Sequence, residues 1–270
     1  MKIDKKKKVV YYSDPLNDDF AGNNLKAKPL PKNFSYSRNS VIFKIFRFFI
    51  YYVVAKFILH ILCFFTGVKI IGKEKIKDLK DGYFLYGNHT KWMDAFIPSV
   101  MITGARYTYI VSKTDAFDSV VSRNLLQALG MFPLPTSYEF YRPFFEELNR
   151  HVKDKKRPVT IYPEAHIWPF YTGIRPFPFS SFHYPAKLGV PVVPFFTIYR
   201  KNKGLFKLIY GKAPRMTIYI GYPIYPDQNK SIKENTNMLG EKTYEYMESI
   251  KNKYPSVEYV KYVYLKEEEK

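Results

Sequence analysis

Phe84-Leu85-Tyr86-Gly87-Asn88-His89-Thr90-Lys91-Trp92-Met93-Asp94 is the stretch on which the reading of the fold turns. Its apolar start reads as a buried strand that ends at Gly87. Strand ends in α/β folds are where reactive side chains are presented. His89 follows at once, and histidine has the unperturbed pKa nearest neutrality. A carboxylate beside one ring nitrogen leaves the other nitrogen as a base. Asp94 lies five residues on. On one helix, positions five apart point about 140° away from each other. The pair therefore meets only if the chain turns between them, as a loop entering a helix does. The bland alternative is a surface histidine with Asp94 solvated.

Composition narrows the class. The 270 residues carry a formal charge of +19, which calls for an anionic partner: a membrane surface, nucleic acid or a phosphorylated ligand. Aromatic residues make up 19% of the chain, nearly all Tyr and Phe. Cys63 is the single cysteine, so no internal disulfide forms. Within an apolar stretch it reads as a small inert hydrophobe.

Residues 1 to 40 read as a basic, polar N-terminal arm, with Lys5 to Lys8 at its start. No apolar core directly follows these lysines, so it is not a secretory signal. The arm is expected to be extended. It wraps the domain, helps to hold anionic lipid, or is a solvated tail. Residues 41 to 68 read as a membrane-associated helical segment, long enough to span a bilayer. Lys44, Arg47, Lys56 and His60 interrupt it, and charges inside a span are costly. Lys44 and Arg47 share one side of a helical wheel, while Lys56 and His60 share another. A pair of helices, or a tilted helix with changing surroundings, fits this better than one amphipathic helix. It would enter one leaflet, with its basic groups at the headgroups. A spanning helix and a buried core helix are the other readings.

Residues 69 to 270 read as one domain. Strands are expected at Tyr83 to Tyr86, Tyr107 to Val111, Met131 to Leu134, Pro158 to Tyr162, Val190 to Tyr199 and Met216 to Ile220. Helices are expected at Ala95 to Met101, Asp115 to Leu129, Glu139 to Val152, Ser180 to Leu188 and Ser231 to Lys253. The alternation predicts an α/β fold with a central, largely parallel or mixed sheet flanked by helices.

A second constellation follows the Pro158 strand: Tyr162-Pro163-Glu164-Ala165-His166, then Arg175-Pro176-Phe177, then Gly189-Val190-Pro191-Val192-Val193-Pro194. Together with Asn88, His89 and Asp94 this set resembles the glycerolipid acyltransferases, whose type members are the bacterial lysophosphatidic acid acyltransferases. The resemblance covers about residues 70 to 225. The family's Asn-His and Asp match Asn88, His89 and Asp94. Its Phe-Pro-Glu-Gly-Thr-Arg block matches Tyr162 to Ile167. Its Gly-Val-Pro-Val-Val-Pro matches Gly189 to Pro194. The chain departs from the family at Ala165, at Ile167 and at Thr136, the last two standing where arginines are expected. Those arginines are associated with the acceptor's phosphate, which arginine grips bidentately. Arg175 or Arg142 is the substitute, unless each is a structural or surface ion pair.

The resemblance implies transfer of an acyl group from a thioester, acyl-CoA or acyl carrier protein, to a lysophospholipid hydroxyl. The implied acceptor is 1-acylglycerol-3-phosphate, and the active site lies on the cytoplasmic face of a membrane. His89 is the implied base and Asp94 its orienting carboxylate. Asn88, Pro163, Glu164 and Arg175 are the implied substrate-binding residues. No metal and no further cofactor is implied, and no nucleic acid as partner. Three competing readings are a metal hydrolase built from His89, Asp94, Glu164, His166 or His183, a nucleic-acid binder, and a catalytically weak lipid-binding relative.

Overall fold

The computed structural model describes residues 2–4, 8–20, 29–114, 117, 119–211 and 213–265. In chain order the strands are β1 (Lys2–Asp4), β2 (Val9–Tyr12), β3 (Lys69–Ile71), β4 (Phe84–Tyr86), β5 (Tyr109–Ser112), β6 (Met131–Pro133), β7 (Val159–Ile161), β8 (Val192–Arg200), β9 (Arg215–Ile220) and β10 (Lys261–Tyr264). The helices are α1 (Val41–Phe48), α2 (Lys56–Phe65), α3 (Ile97–Met101), α4 (Val120–Ala128), α5 (Tyr138–Asn149), α6 (His183–Leu188), α7 (Leu205–Tyr210) and α8 (Ile232–Lys253).

Strands that are apolar on both sides must be covered on both faces. Phe84 to Tyr86 is such a run, and with Val159 to Ile161, buried throughout although Thr160 is polar, it sits at the centre of a seven-stranded sheet ordered β3-β9-β8-β4-β7-β5-β6. The five strands from β8 to β6 are parallel, while β9 runs against β8 and β3 runs with β9. The expected α/β fold with a mixed sheet flanked by helices is therefore present. Helix α8 packs along β8, α3 against β7 and α4 against β6. The inner residues are mostly aromatic: Tyr83, Phe84, Tyr86, Phe195, Phe196 and Tyr199 are wholly buried. Each such side chain contributes about 1.5–3 kcal/mol on leaving water.

Several boundaries differ from expectation for local reasons. The helix expected from Asp115 begins at Val120, because the Ser119 hydroxyl caps it by accepting from Ser122 N. Asp115 itself lies outside the described residues. The stretch from Ala95 is a tight turn over Trp92–Ala95 that passes into α3, with Pro98 in its first turn. Strand β3 and helix α7 are not among the expected elements.

The segment at 41–65 is one continuous helix, not the pair that was one of the two expected forms. It contains no Gly or Pro to break it, and only a wider π-helical stretch at Phe49–Ala55 joins α1 to α2. The other expected form, one helix with changing surroundings, describes it better. Arg47 turns toward the Tyr107 ring, 4.9 Å from its centroid, and Lys56 reaches the Gly104 carbonyl. By length and composition this helix suffices to cross a membrane, yet only 17% of its most apolar window is buried in the protein. It is therefore no core helix.

The N-terminal arm, where described, wraps the domain. β2 pairs with β1 and, in parallel, with β10, which joins both ends of the chain in a small three-stranded sheet. Val10, Phe20 and Trp168 form its own apolar cluster. Lys5 to Lys7 lie outside the described residues.

At the exit of β4 the backbone of Gly87 runs against a phenylalanine ring. A Cβ there would stand 2.1 Å from Phe195 Cε2, in a wholly buried layer. Gly87→Ala should therefore lower unfolding free energy by about 1–3 kcal/mol through overpacking, read as a lower denaturant midpoint at unchanged slope.

Candidate active site

The loop after β4 is built on backbone contacts. The Asn88 side chain is wholly buried, and its amide pairs with one residue of β8: Oδ1 accepts from Thr197 N at 2.8 Å and Nδ2 donates to Thr197 O at 3.2 Å. Asn88 is thus placed as a clamp between the loop and the sheet. Asp94 closes the loop. Its Oδ2 accepts from Thr90 N and Lys91 N, both at 2.7 Å, and from Thr90 Oγ1 at 3.0 Å. The chain turns between His89 and Asp94 as the spacing required. His89 Nδ1 stands 3.9 Å from Asp94 Oδ2, with the side chains 12% and 1% exposed. His89 Nδ1 and Asp94 Oδ1 are buried without a hydrogen-bond partner. With Nδ1 turned to the carboxylate, Nε2 is the nitrogen left for a substrate.

The ring of His89 is fixed by stacking on Tyr162, with centroids 4.3 Å apart and planes 21° apart. The Tyr162 hydroxyl donates to the Asp94 carbonyl. One aromatic side chain therefore holds both members of the pair. It was quoted in the strand-end motif, but a stacking role has no signature in a sequence.

Pro163 and Glu164 lie buried at the end of β7, beside the β4 loop. Glu164 Oε2 accepts from His89 N at 3.2 Å and Oε1 from Arg175 N at 3.1 Å. Burial pushes the Glu164 carboxyl up to about 7, and those two N–H donors hold it from rising further. Two strand ends thus converge, and His89, Asp94 and Glu164 share one loop cluster.

Arg175 lies elsewhere than a phosphate contact requires. It is 1% exposed, and Nε, Nη1 and Nη2 donate to the carbonyls of Pro15, His166 and Leu16 at 2.9, 2.8 and 2.9 Å. Its guanidinium lies 4.6 Å from the Trp168 ring centroid. Its five donors suit a role as staple between the arm and the strand-end loop. The arm also touches the two positions where arginines were expected, although Thr136 stays exposed. Leu30 N donates to Thr136 Oγ1 at 3.0 Å, and Phe20 N to the Ile167 carbonyl at 3.2 Å. Arg142 is on an exposed helix face, paired with Glu146 at 2.7 Å. His166 lies 3.0 Å from Asp19 Oδ2 and 2.9 Å from Lys113 Nζ, while His183 opens α6. Among the described residues no three His, Cys, Asp or Glu side chains cluster closely enough to hold a metal ion.

The loop from Glu164 to Arg175 braces the loop that carries His89 and Asp94 by two backbone bonds that sequence reasoning missed: Trp168 N to His89 O at 3.2 Å and Phe170 N to Thr90 O at 3.0 Å. Lys91 extends over the Phe170 ring, 4.5 Å from its centroid, and burial draws its ammonium pKa down.

The raised Glu164 carboxyl sets a pH dependence. Below 4.5, its ordinary value, the group is protonated both folded and unfolded. Between 4.5 and about 7 only the unfolded chain ionises, so the fold loses stability as pH rises. At about 1.4 kcal/mol per pH unit the loss reaches about 3 kcal/mol. Unfolding of wild type and Glu164→Gln should therefore differ by a margin that shifts toward the variant by that amount between pH 4.5 and 7. A pH-independent margin would mean that Glu164 ionises normally.

The comparisons with known proteins bear on this site. A family model described as Acyltransferase matches residues 67–198, which contain both strand ends. No curated protein matches the chain. A solved structure, the 1-acyl-sn-glycerophosphate (LPA) acyltransferase PlsC from Thermotoga maritima, is similar at 20% identity, with a TM-score of 0.49 over 78% of this chain and 89% of that one. The family reading made from the two motifs is borne out in that the Acyltransferase family model spans residues 67–198 and takes in both of them.

Proposed function

We propose that the protein transfers a fatty acyl group from a thioester, acyl-CoA or acyl carrier protein, to the hydroxyl of a lysophospholipid, 1-acylglycerol-3-phosphate in particular. The observation that carries this reading is the His89–Asp94 pair, 3.9 Å apart and almost buried at a strand end of an acyltransferase-family domain. His89 Nε2 takes the acceptor's hydroxyl proton as its oxygen bonds to the acyl carbon. The C–S bond then breaks, and the leaving thiolate recovers the proton from the imidazolium. Asp94 orients the ring and stabilises its charged form. Glu164, Asn88 and Pro163 shape the cleft around the acceptor.

One observation favours a second reading, an acceptor without phosphate. Arg175 is committed to three carbonyls, and Thr136 and Ile167, where arginines were expected, carry no cation. Under the first reading Lys91 and Lys113 are the cations left near these loops.

The helix at 41–65 supports action at a membrane. Ile42, Phe48, Phe57 and Phe64 are 82%, 61%, 67% and 77% exposed, and Val121 of α4 and Leu208 of α7 add 78% and 82%. The helix packs against α3 and α4. A helix lying along its own domain meets lipid with its outer side, which favours one leaflet over a span; the cytoplasmic face is part of the proposal, on the strength of the flanking lysines.

Purified protein incubated with labelled acyl donors and a panel of lysolipids tests the reading, with products read by mass spectrometry. Wild type should acylate 1-acylglycerol-3-phosphate. Folded His89→Ala should lose about 10²- to 10⁴-fold in rate, and Asp94→Asn should fall comparably. Preference for an uncharged acceptor would move the assignment to the second reading. Near-normal turnover by folded His89→Ala would sink the mechanism.

A further inference from the structure

A basic cleft lies at the other end of the sheet from His89. It is bounded by Arg38, Phe43, Arg47, Tyr107 and Gln127, and it opens where α1 meets the starts of β5 and β6. Arg47 and Arg157 flank the same ring, their guanidinium carbons 4.9 Å and 5.6 Å from the Tyr107 centroid. Arg38 is aimed by neutral amides, with Nε on Gln127 Oε1 and Nη2 on Asn124 Oδ1, both at 2.9 Å. None of these three arginines forms an ion pair among the described residues. The nearby carboxylate of Glu147 is already bound to Arg150 at 2.6 Å and accepts from Tyr109 Oη at 2.8 Å. The excess of positive charge is felt by neighbours: burial, then Arg157, Lys155 and Arg47, holds His151 well below the usual imidazole range.

Uncompensated guanidinium groups gathered at one place attract an anion, and planar forks suit a phosphate. The surroundings say which phosphate. Val41 and Ile42 at the start of α1 are 69% and 82% exposed, and Val120 and Val121 of the adjacent α4 are 62% and 78% exposed. A free phosphate has no use for that apolar rim, whereas a lipid presents both chemistries at once.

We propose that this cleft is a second lipid site, separate from the acyl-transfer centre, which binds the phosphate of an anionic phospholipid whose chains lie along the exposed apolar side chains of α1 and α4. It rests on the membrane docking proposed above.

Calorimetric titration of the full chain in nonionic detergent tests the site with three probes: dihexanoyl phosphatidylglycerol, dihexanoyl phosphatidylcholine and inorganic phosphate. The phosphatidylglycerol should bind saturably and at least about tenfold tighter than either of the others. Arg47→Gln with Arg157→Gln should abolish that preference, while Lys201→Gln with Lys203→Gln, an equal charge change on an exposed loop, should keep it. If the glutamine pair does not fold, Arg47→Lys with Arg157→Lys serves, and at least a threefold loss is expected because the forks are gone. Unchanged binding by the folded Arg47/Arg157 variant, equal binding of the zwitterionic lipid, or equal binding of inorganic phosphate would overturn the site. Sedimentation with neutral phosphatidylcholine vesicles separates the two readings. Failure to sediment there sinks the docking, while the short-lipid titration judges the site alone.

Discussion

The Asp94 carboxylate is the point on which the site depends. One of its oxygens takes two backbone N–H groups and one hydroxyl from Thr90 and Lys91, and faces the imidazole of His89 across 3.9 Å. The same bonds force the turn that brings residue 89 back toward residue 94. Loop shape and imidazole orientation are therefore one fact. Without the carboxylate, the Thr90 and Lys91 N–H groups lose their acceptor in a buried place, which costs the fold as well as the chemistry.

Around this point the protein adds shells of backbone bonding. Asn88 ties the loop to β8, and the loop from Glu164 to Arg175 covers it from the other side. That second loop is in turn fixed by the arm, through Arg175 and the Trp168 indole, which donates to the Asp18 carbonyl at 2.7 Å. A buried guanidinium is costly unless its donors are all met. Here Nε, Nη1 and Nη2 each donate to a carbonyl, and the Trp168 ring lies against the guanidinium. Residues far from the reaction thus limit the movement of His89.

Much of this was legible in the sequence, for identifiable reasons. Apolar runs such as Phe84 to Tyr86 and Val192 to Phe196 are continuous because both faces are covered, so they declare themselves as central strands. The His89 and Asp94 spacing excluded a single helix and required the loop that is present. The bonding of Arg175 was not legible, because its acceptors Pro15 and Leu16 lie far away in the chain and are backbone atoms, which carry no residue signal. The arm's pairing with β10 and the stacking of Tyr162 on His89 escaped for the same reason. Helix 41–65 was read as a possible pair because its charges fall on two sides. The structure gives each charge a separate neighbour on the domain, Tyr107 for Arg47 and Gly104 for Lys56.

The central claim is that Asp94 holds His89 with Nδ1 inward and Nε2 as the free base. Nitrogen NMR of the ¹⁵N-histidine-labelled protein, with His89 assigned by the loss of its signal in a His89 variant, reads the tautomer directly. At a pH where the ring is neutral, the account predicts a proton on Nδ1 and a bare Nε2. It also predicts that Asp94→Asn changes that pattern. A His89 ring carrying its proton on Nε2 in the wild-type protein would contradict it.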